Sequence, residues 1–240
     1  MRTLIIIPAF NEEENIEKVV ENIIVNFPQY DYVIINDGSS DKTEEICRKK
    51  NYALLNLPIN LGIGGAVQAG YRYAKEKDYD IAIQIDGDGQ HDILFAQDMV
   101  QLIESNRADV VIGSRFLEKK GFQSSGTRRT GIRILSGLIK LCTGVKVNDV
   151  TSGFRAVNKK FIQIYSNDYS DDYPEPEAIV SAVMYGGRIK EIPVIMNERQ
   201  GGKSSIKFWN SIYYMTKVTL AIIVRRISYE IRSKRTCQKH

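Results

Sequence analysis

Ile81-Ala82-Ile83-Gln84-Ile85-Asp86-Gly87-Asp88-Gly89-Gln90-His91 runs from a stretch with the composition of a buried strand straight into two aspartates one residue apart. On extended chain, side chains at i and i+2 point the same way, so these carboxylates repel unless a cation sits between them. Hard oxygen donors at this spacing suit Mg²⁺ or Mn²⁺, which also favour the oxygens of a diphosphate. The stretch fits a metal-bound nucleotide. A solvated Asp-Gly turn between two elements would carry the same letters, so the surrounding chain has to decide.

Upstream, strands and helices alternate. Leu4-Ile5-Ile6-Ile7 reads as a buried strand leaving through Pro8-Ala9-Phe10-Asn11, with Asn11 as N-cap of a helix carrying Ile16, Val19, Val20, Ile23, Ile24 and Phe27 on one face. Tyr32-Val33-Ile34-Ile35 is a second strand, and Asp41 with Glu44 suggests a capping box for a helix over 42–50. Ala53-Leu54-Leu55 is a weaker third strand, and Asn60-Leu61-Gly62-Ile63-Gly64-Gly65 opens a helix over 66–76. Its glycines let backbone N–H groups approach a phosphate or another chain segment; the spacing is not GxGxxG, which disfavours a dinucleotide fold.

Downstream, a helix over 94–105 and the strand Asp109-Val110-Val111-Ile112-Gly113 continue the alternation into Ser114-Arg115. The pattern predicts an α/β fold, a mostly parallel central sheet flanked by helices, with ligands at the carboxyl ends of the strands. Asn11, Asp37, Asp88 and Arg115 all fall at such ends. Residues 117–130 read as a polar, mobile loop and 132–142 as an amphipathic helix, either core or lying at a membrane surface. Asp149-Val150-Thr151-Ser152-Gly153-Phe154-Arg155 reads as a polar turn bearing a guanidinium, followed by a helix over 175–185 and a strand over 188–195. The loop Glu198–Ser205 is basic and suited to closing over phosphates.

From Ile206 to Ile231 a long helix mixes aromatic and aliphatic residues and ends in Arg225-Arg226, within a C-terminus crowded with Arg232, Lys234, Arg235 and Lys239. That pattern suits a lipid headgroup zone or a partner, and divides the chain into a domain over 1–205 and an amphipathic basic helix over 206–240. The 240 residues, 43% hydrophobic and 26% charged with net charge +4, are ordinary for a globular protein and give no sign of nucleic-acid binding. Three scattered cysteines form no CxxC pair, and no window holds the roughly 18 apolar residues of a spanning helix.

Seven motifs in order from position 8 to 204 carry a family likeness: Pro8-Ala9-Phe10-Asn11-Glu12, Asn36-Asp37-Gly38-Ser39-Ser40-Asp41, Asn60-Leu61-Gly62, Asp86-x-Asp88-x-Gln90-His91, Gly113-Ser114-Arg115, Thr151-Ser152-Gly153-Phe154-Arg155 and Arg199-x-x-Gly-x-Ser204. The chain resembles the family 2 glycosyltransferases of the GT-A fold, and within them the dolichol-phosphate mannose synthase-like, polyprenyl-phosphate sugar synthases. The resemblance implies that Pro8, Phe10, Glu12, Asp37 and Gly62 line the nucleotide-sugar pocket and that Asp86, Asp88 and Gln90 hold Mg²⁺ or Mn²⁺ with the donor diphosphate. It implies further that Arg115, Arg133 and Ser136 meet the acceptor phosphate, and that Arg199, Lys203 and Ser204 clamp the donor. Asp86, Asp88, Arg115 and Arg199 would be the catalytic set. Asp92 stands where the family has proline, adding a charge beside the motif.

The activity so implied is inverting transfer of a hexose from UDP-GlcNAc, UDP-glucose or GDP-mannose to undecaprenyl or dolichyl phosphate. It would take place at the cytoplasmic face of a membrane, with a small transmembrane partner. Two other readings use the same residues: transfer to a glycan hydroxyl, with Asp149 or Glu177 as base, and a non-catalytic membrane-surface subunit, which should show an eroded metal motif. A glycosidase is disfavoured, because Asp86 and Asp88 are too close to flank a sugar at roughly 5–9 Å.

Overall fold

The computed structural model describes residues 1–118, 126–172, 174–196 and 215–228, with the backbone only of Thr127 and Arg128. Seven strands form one sheet: β1 (Thr3–Ala9), β2 (Asp31–Asn36), β3 (Leu54–Asn56), β4 (Ile81–Gln84), β5 (Val110–Ser114), β6 (Arg155–Asn158) and β7 (Ile189–Pro193). Their order is β3-β2-β1-β4-β6-β5-β7. β6 runs antiparallel to both neighbours, and every other pairing is parallel.

Both faces of the sheet are covered, which is why β1 reads as an unbroken aliphatic run. Leu4 and Ile6 face one layer, built from α3 (Gly62–Glu76), α5 (Gly126–Thr143), α6 (Lys159–Tyr165) and α7 (Pro174–Met184). Ile5 and Ile7 face the other, built from α1 (Ile16–Asn26), α2 (Thr43–Lys49) and α4 (Ala96–Glu104). All four side chains are fully buried, each contributing about 1.5–3 kcal/mol by burial. The helical residues 215–228 set Val218 and Ile222 into the first layer.

Several expectations change. Helix α1 starts at Ile16, not behind Asn11; Asn11 takes a left-handed backbone (φ 56°) and its Oδ1 accepts from the Ser40 N–H at 2.8 Å. The capping box is half realised: Asp41 Oδ1 accepts from the Thr43 N–H (2.9 Å) and hydroxyl (2.6 Å), while Glu44 turns to Arg48. Helix α5 begins at Gly126, inside the expected loop, and the expected polar turn 149–155 delivers the chain into β6 at Arg155. Arg155 disguised that strand. Its guanidinium is buried and donates to the carbonyls of Ser152 (2.8 Å), Glu175 (2.7 Å) and Val150 (3.3 Å), so a cation that reads as a loop residue ties a turn to the core.

The glycines of Leu61–Gly65 lie within α3 rather than ahead of it. Gly64 donates its N–H to the Asp171 carbonyl at 3.1 Å, and a Cβ there would stand 2.0 Å from the Ser170 oxygen and 2.2 Å from that of Asp171. Of the two uses open to this glycine, the structure shows close approach to another segment. Gly64→Ala should destabilise the protein by at least about 2 kcal/mol, lowering Tm by roughly 4–8 °C. Gly137→Ala, with nothing within 4 Å of its Cβ, should be neutral or slightly stabilising; paired thermal melts check both.

Candidate active site

Strand order reverses direction between β1 and β4, and the crevice outside their carboxyl ends is where an open α/β sheet binds ligands. Three loops meet there. The Asn11 N–H donates to Ser39 Oγ (3.0 Å), the Glu13 N–H to Asp41 Oδ2 (3.0 Å) and the Leu61 N–H to Asp37 Oδ1 (2.7 Å). Side chains thus lace the exits of β1, β2 and β3. Asp37 is buried; that burial raises its carboxyl above the ordinary range, partly offset by the Leu61 and Gly62 amides. Phe10 stays half exposed at the rim, Pro8 sits within β1, and Glu12 is buried, its Oε2 accepting from Asn15 Nδ2 at 2.9 Å. Gly62 opens α3, donating its N–H to Asn60 Oδ1 at 3.0 Å.

The Asp86–His91 turn leaves β4 against this cluster. His91 is buried and stacked on Phe154, ring centroids 5.2 Å apart, and its Nδ1 accepts the Asp86 N–H at 3.0 Å. Accepting at Nδ1 requires the neutral ring with its proton on Nε2, 3.6 Å from Asp86 Oδ2. Burial keeps it neutral, pushing its pKa down to about 4. Asp88 Oδ1 accepts the Gln90 N–H at 3.0 Å. Gly153 supplies the opposite wall: a Cβ there would lie 2.9 Å from Asp86 Oδ1, so glycine lets the 149–155 turn close on the carboxylate without displacing it. Asp92, in the family's proline position, accepts the Leu94 N–H at 3.0 Å and caps the short 3₁₀ turn Ile93–Phe95. A cavity of about 290 Å³ lies between this turn and α1, reached by Asp86, Asp88, His91, Asn15 and Lys18.

Among the described residues no group of three or more His, Cys, Asp or Glu side chains comes together to hold a metal ion. Two part-exposed carboxylates one residue apart nevertheless fit Mg²⁺ or Mn²⁺, which bind through one or two carboxylates and complete their shells with substrate phosphate and water.

Arg115 is a buried member of an ion pair. Its Nε and Nη2 donate to the two oxygens of Asp149 at 2.6 and 2.7 Å, its own N–H donates to Asp149 Oδ2 at 3.1 Å, and Nη2 also reaches Thr151 Oγ1 at 3.0 Å. Burial works against its charge, but Asp149, with Asp86 and Glu175, outweighs burial and the guanidinium is held above its ordinary pKa. Asp149, fully buried, is held in turn through its N–H by Glu191 Oε1 at 2.9 Å. Glu177 accepts from Ser170 Oγ at 2.8 Å and lies 3.7 Å from Arg225.

Arg133 and Ser136 come together on α5, away from the Asp86–Gln90 turn in sequence but in one cavity of about 440 Å³. Among the described residues its cations are Arg129, Arg133, Lys140 and Lys146, beside Phe116 and Asn148, and no carboxylate lines it. The Ser136 hydroxyl donates to the Val147 carbonyl. Arg129, Lys140 and Lys146 were not singled out by motif; the legible signal was that residues 119–148 contain no Asp or Glu. Arg199, Lys203 and Ser204 lie outside the described residues.

The chain matches the family model described as Glycosyl transferase family 2 over residues 4–165. A dolichyl-phosphate beta-glucosyltransferase of Trichomonas vaginalis is 30% identical over 226 residues, covering 84% of this chain and 67% of that protein. An undecaprenyl-phosphate mannosyltransferase of Micrococcus luteus is 29% identical over 216 residues, covering 86% and 88%. The crystal structure of glucosyl-3-phosphoglycerate synthase from Mycobacterium tuberculosis in complex with Mn²⁺, UDP-glucose and phosphoglyceric acid shares the fold, with a TM-score of 0.72 at 18% identity, over 94% of this chain and 79% of that one. The expected GT-A fold is thereby borne out.

Removing one partner of a buried ion pair leaves the other uncompensated, at a cost of about 3–5 kcal/mol. Arg115→Met and Asp149→Leu should each lose that much in urea denaturation, and the double variant should recover at least half of it. Additive losses would mean the pair is not a unit.

Proposed function

The chain belongs to glycosyl transferase family 2, and on that footing we propose that it moves a hexose from a nucleotide-diphosphate sugar to the phosphate of a polyprenyl lipid, inverting the anomeric carbon. The observation that carries this reading is the cavity of Arg129, Arg133, Lys140 and Lys146, which no carboxylate of the described residues lines. Cations without carboxylates favour an anionic acceptor, and a guanidinium binds phosphate oxygens in pairs. A lipid monophosphate is already ionised near neutrality, with a second pKa of about 6, so its oxygen attacks without a general base.

The glycan-hydroxyl reading needs such a base. Its candidates are both engaged, Asp149 in the Arg115 pair and Glu177 with Ser170 beside Arg225, which favours the phosphate acceptor. The intact Asp86, Asp88 and Gln90 weigh against a non-catalytic subunit.

In this reading Pro8, Phe10, Glu12, Asp37 and Gly62 form the nucleotide side. Asp86, Asp88 and Gln90 would hold a divalent cation, Mg²⁺ or Mn²⁺, which when bound supplies charge neutralisation for the departing diphosphate. His91 holds the Asp86 backbone, and Arg115 with Asp149 braces the wall between donor and acceptor sides. Arg199, Lys203 and Ser204 clamp the donor as the resemblance implies. The acceptor places the work at a membrane surface; no described helix is long and apolar enough to cross one. A small transmembrane partner, the cytoplasmic face and a role in cell-surface glycan assembly belong to the same proposal.

The test is transfer of radiolabelled sugar from UDP-glucose, UDP-GlcNAc and GDP-mannose to butanol-extractable lipid, with polyprenyl phosphate and Mg²⁺ or Mn²⁺. One donor should label the lipid, and Asp88→Ala should reduce labelling at least about 100-fold. Arg133→Glu/Lys140→Glu should raise the acceptor KM at least tenfold with donor binding unchanged. A product of retained anomeric configuration would rule out inversion.

A further inference from the structure

In the helix 215–228, Val218 and Ile222 are buried, and the opposite face carries Leu220, Ile223, Val224 and Ile227, 61%, 39%, 52% and 51% exposed. At helical spacing these four fall within a stripe about 100° wide. Lys217 lies along one edge of the stripe and Arg226 along the other, and 215–228 contains no Asp or Glu. Nothing in the proposed transfer uses this stripe. Among the described residues, exposed Asp172 meets Lys217 at the stripe's edge, while Asp168 (2.7 Å) and Glu177 (3.7 Å) meet Arg225 on the side turned toward the domain.

The helix abuts α5, where Met215 Sδ lies 3.3 Å from the Cβ position of Gly131. Helix α5 is acid-free as well, and its solvent side carries Ile134 and Leu141 with Arg133 and Lys140 along one edge. Aliphatic stripes edged by cations are the pattern of a helix lying in the headgroup layer of an anionic bilayer, its apolar face sunk about 5–10 Å. A second copy of the chain is a poor occupant: symmetric pairing of two such stripes would set their cationic edges against each other. One helix face also supplies far less than the roughly 800 Å² per partner of a stable dimer.

We propose that helix 215–228 docks face-on into an anionic phospholipid bilayer, inserting Leu220, Ile223, Val224 and Ile227, with Lys217 and Arg226 at the level of the lipid phosphates. The choice of a bilayer as partner rests on the lipid-acceptor reading above; the stripe itself does not.

Co-sedimentation of the full chain with vesicles of phosphatidylcholine alone, or with about a third phosphatidylglycerol, tests the docking. Wild type should bind the anionic vesicles at least tenfold more tightly, and Leu220→Gln/Val224→Gln should lose at least tenfold of that binding. An unchanged thermal melt would verify its fold. The same variant should keep wild-type transfer to a water-soluble short-chain polyprenyl phosphate. Equal vesicle binding by variant and wild type would overturn the docking, as would equal binding of wild type to both vesicle types. So would a concentration-dependent dimer, seen by analytical ultracentrifugation, that the substitutions abolish. Failure of both proteins to glycosylate the short-chain acceptor would count against the acceptor reading, while the vesicle result still decides the docking.

Discussion

Two like charges one residue apart at the mouth of a buried strand are unfavourable, and the structure around Asp86 and Asp88 is arranged to hold them there. The His91 ring fastens the Asp86 backbone from inside the fold, the Gln90 amide meets the Asp88 carboxylate, and Gly153 brings a second wall against Asp86. Each contact fixes the position of a carboxylate without adding another negative ligand. In the proposed reading the turn is built in advance for a cation and a diphosphate that arrive together, with little rearrangement on binding. Neutral His91 belongs to this economy, since a protonated ring could not accept the Asp86 N–H.

The acceptor side uses the opposite arrangement. At the Arg115 wall, buried Asp149 pairs with Arg115, and part-buried Glu191 accepts from the Asn148 and Asp149 amides. Beyond Phe116 the cavity is lined by Arg129, Arg133, Lys140 and Lys146 with no carboxylate among the described lining residues. In the proposed reading the Arg115–Asp149 pair stands between the donor turn and the acceptor cations.

Much of this was legible in the letters, for identifiable reasons. Strands buried on both faces announce themselves as aliphatic runs, so β1, β2, β4 and β5 were readable, and with them the donor-side residues at their ends. What stayed hidden depends on partners far away in sequence. Arg155 reads as a loop cation until Ser152, Val150 and Glu175 offer their carbonyls, and Gly64 leaves phosphate and chain segment equally open until Asp171 arrives. Asn11 looked like a cap because its side chain is a good one; it caps across to Ser40 instead of along its own helix. Arg225 looked like an unexplained basic end until Asp168 and Glu177 appeared beneath it.

Initial rates with a polyprenyl phosphate and with the matching polyprenol, under the same nucleotide sugar and cation, probe most directly whether the acceptor's own phosphate is the nucleophile. Turnover should be confined to the phosphate, with the alcohol slower by at least about a thousandfold, since the candidate bases Asp149 and Glu177 are both engaged. Comparable turnover of the alcohol would contradict a base-free transfer to phosphate and restore the hydroxyl-acceptor chemistry.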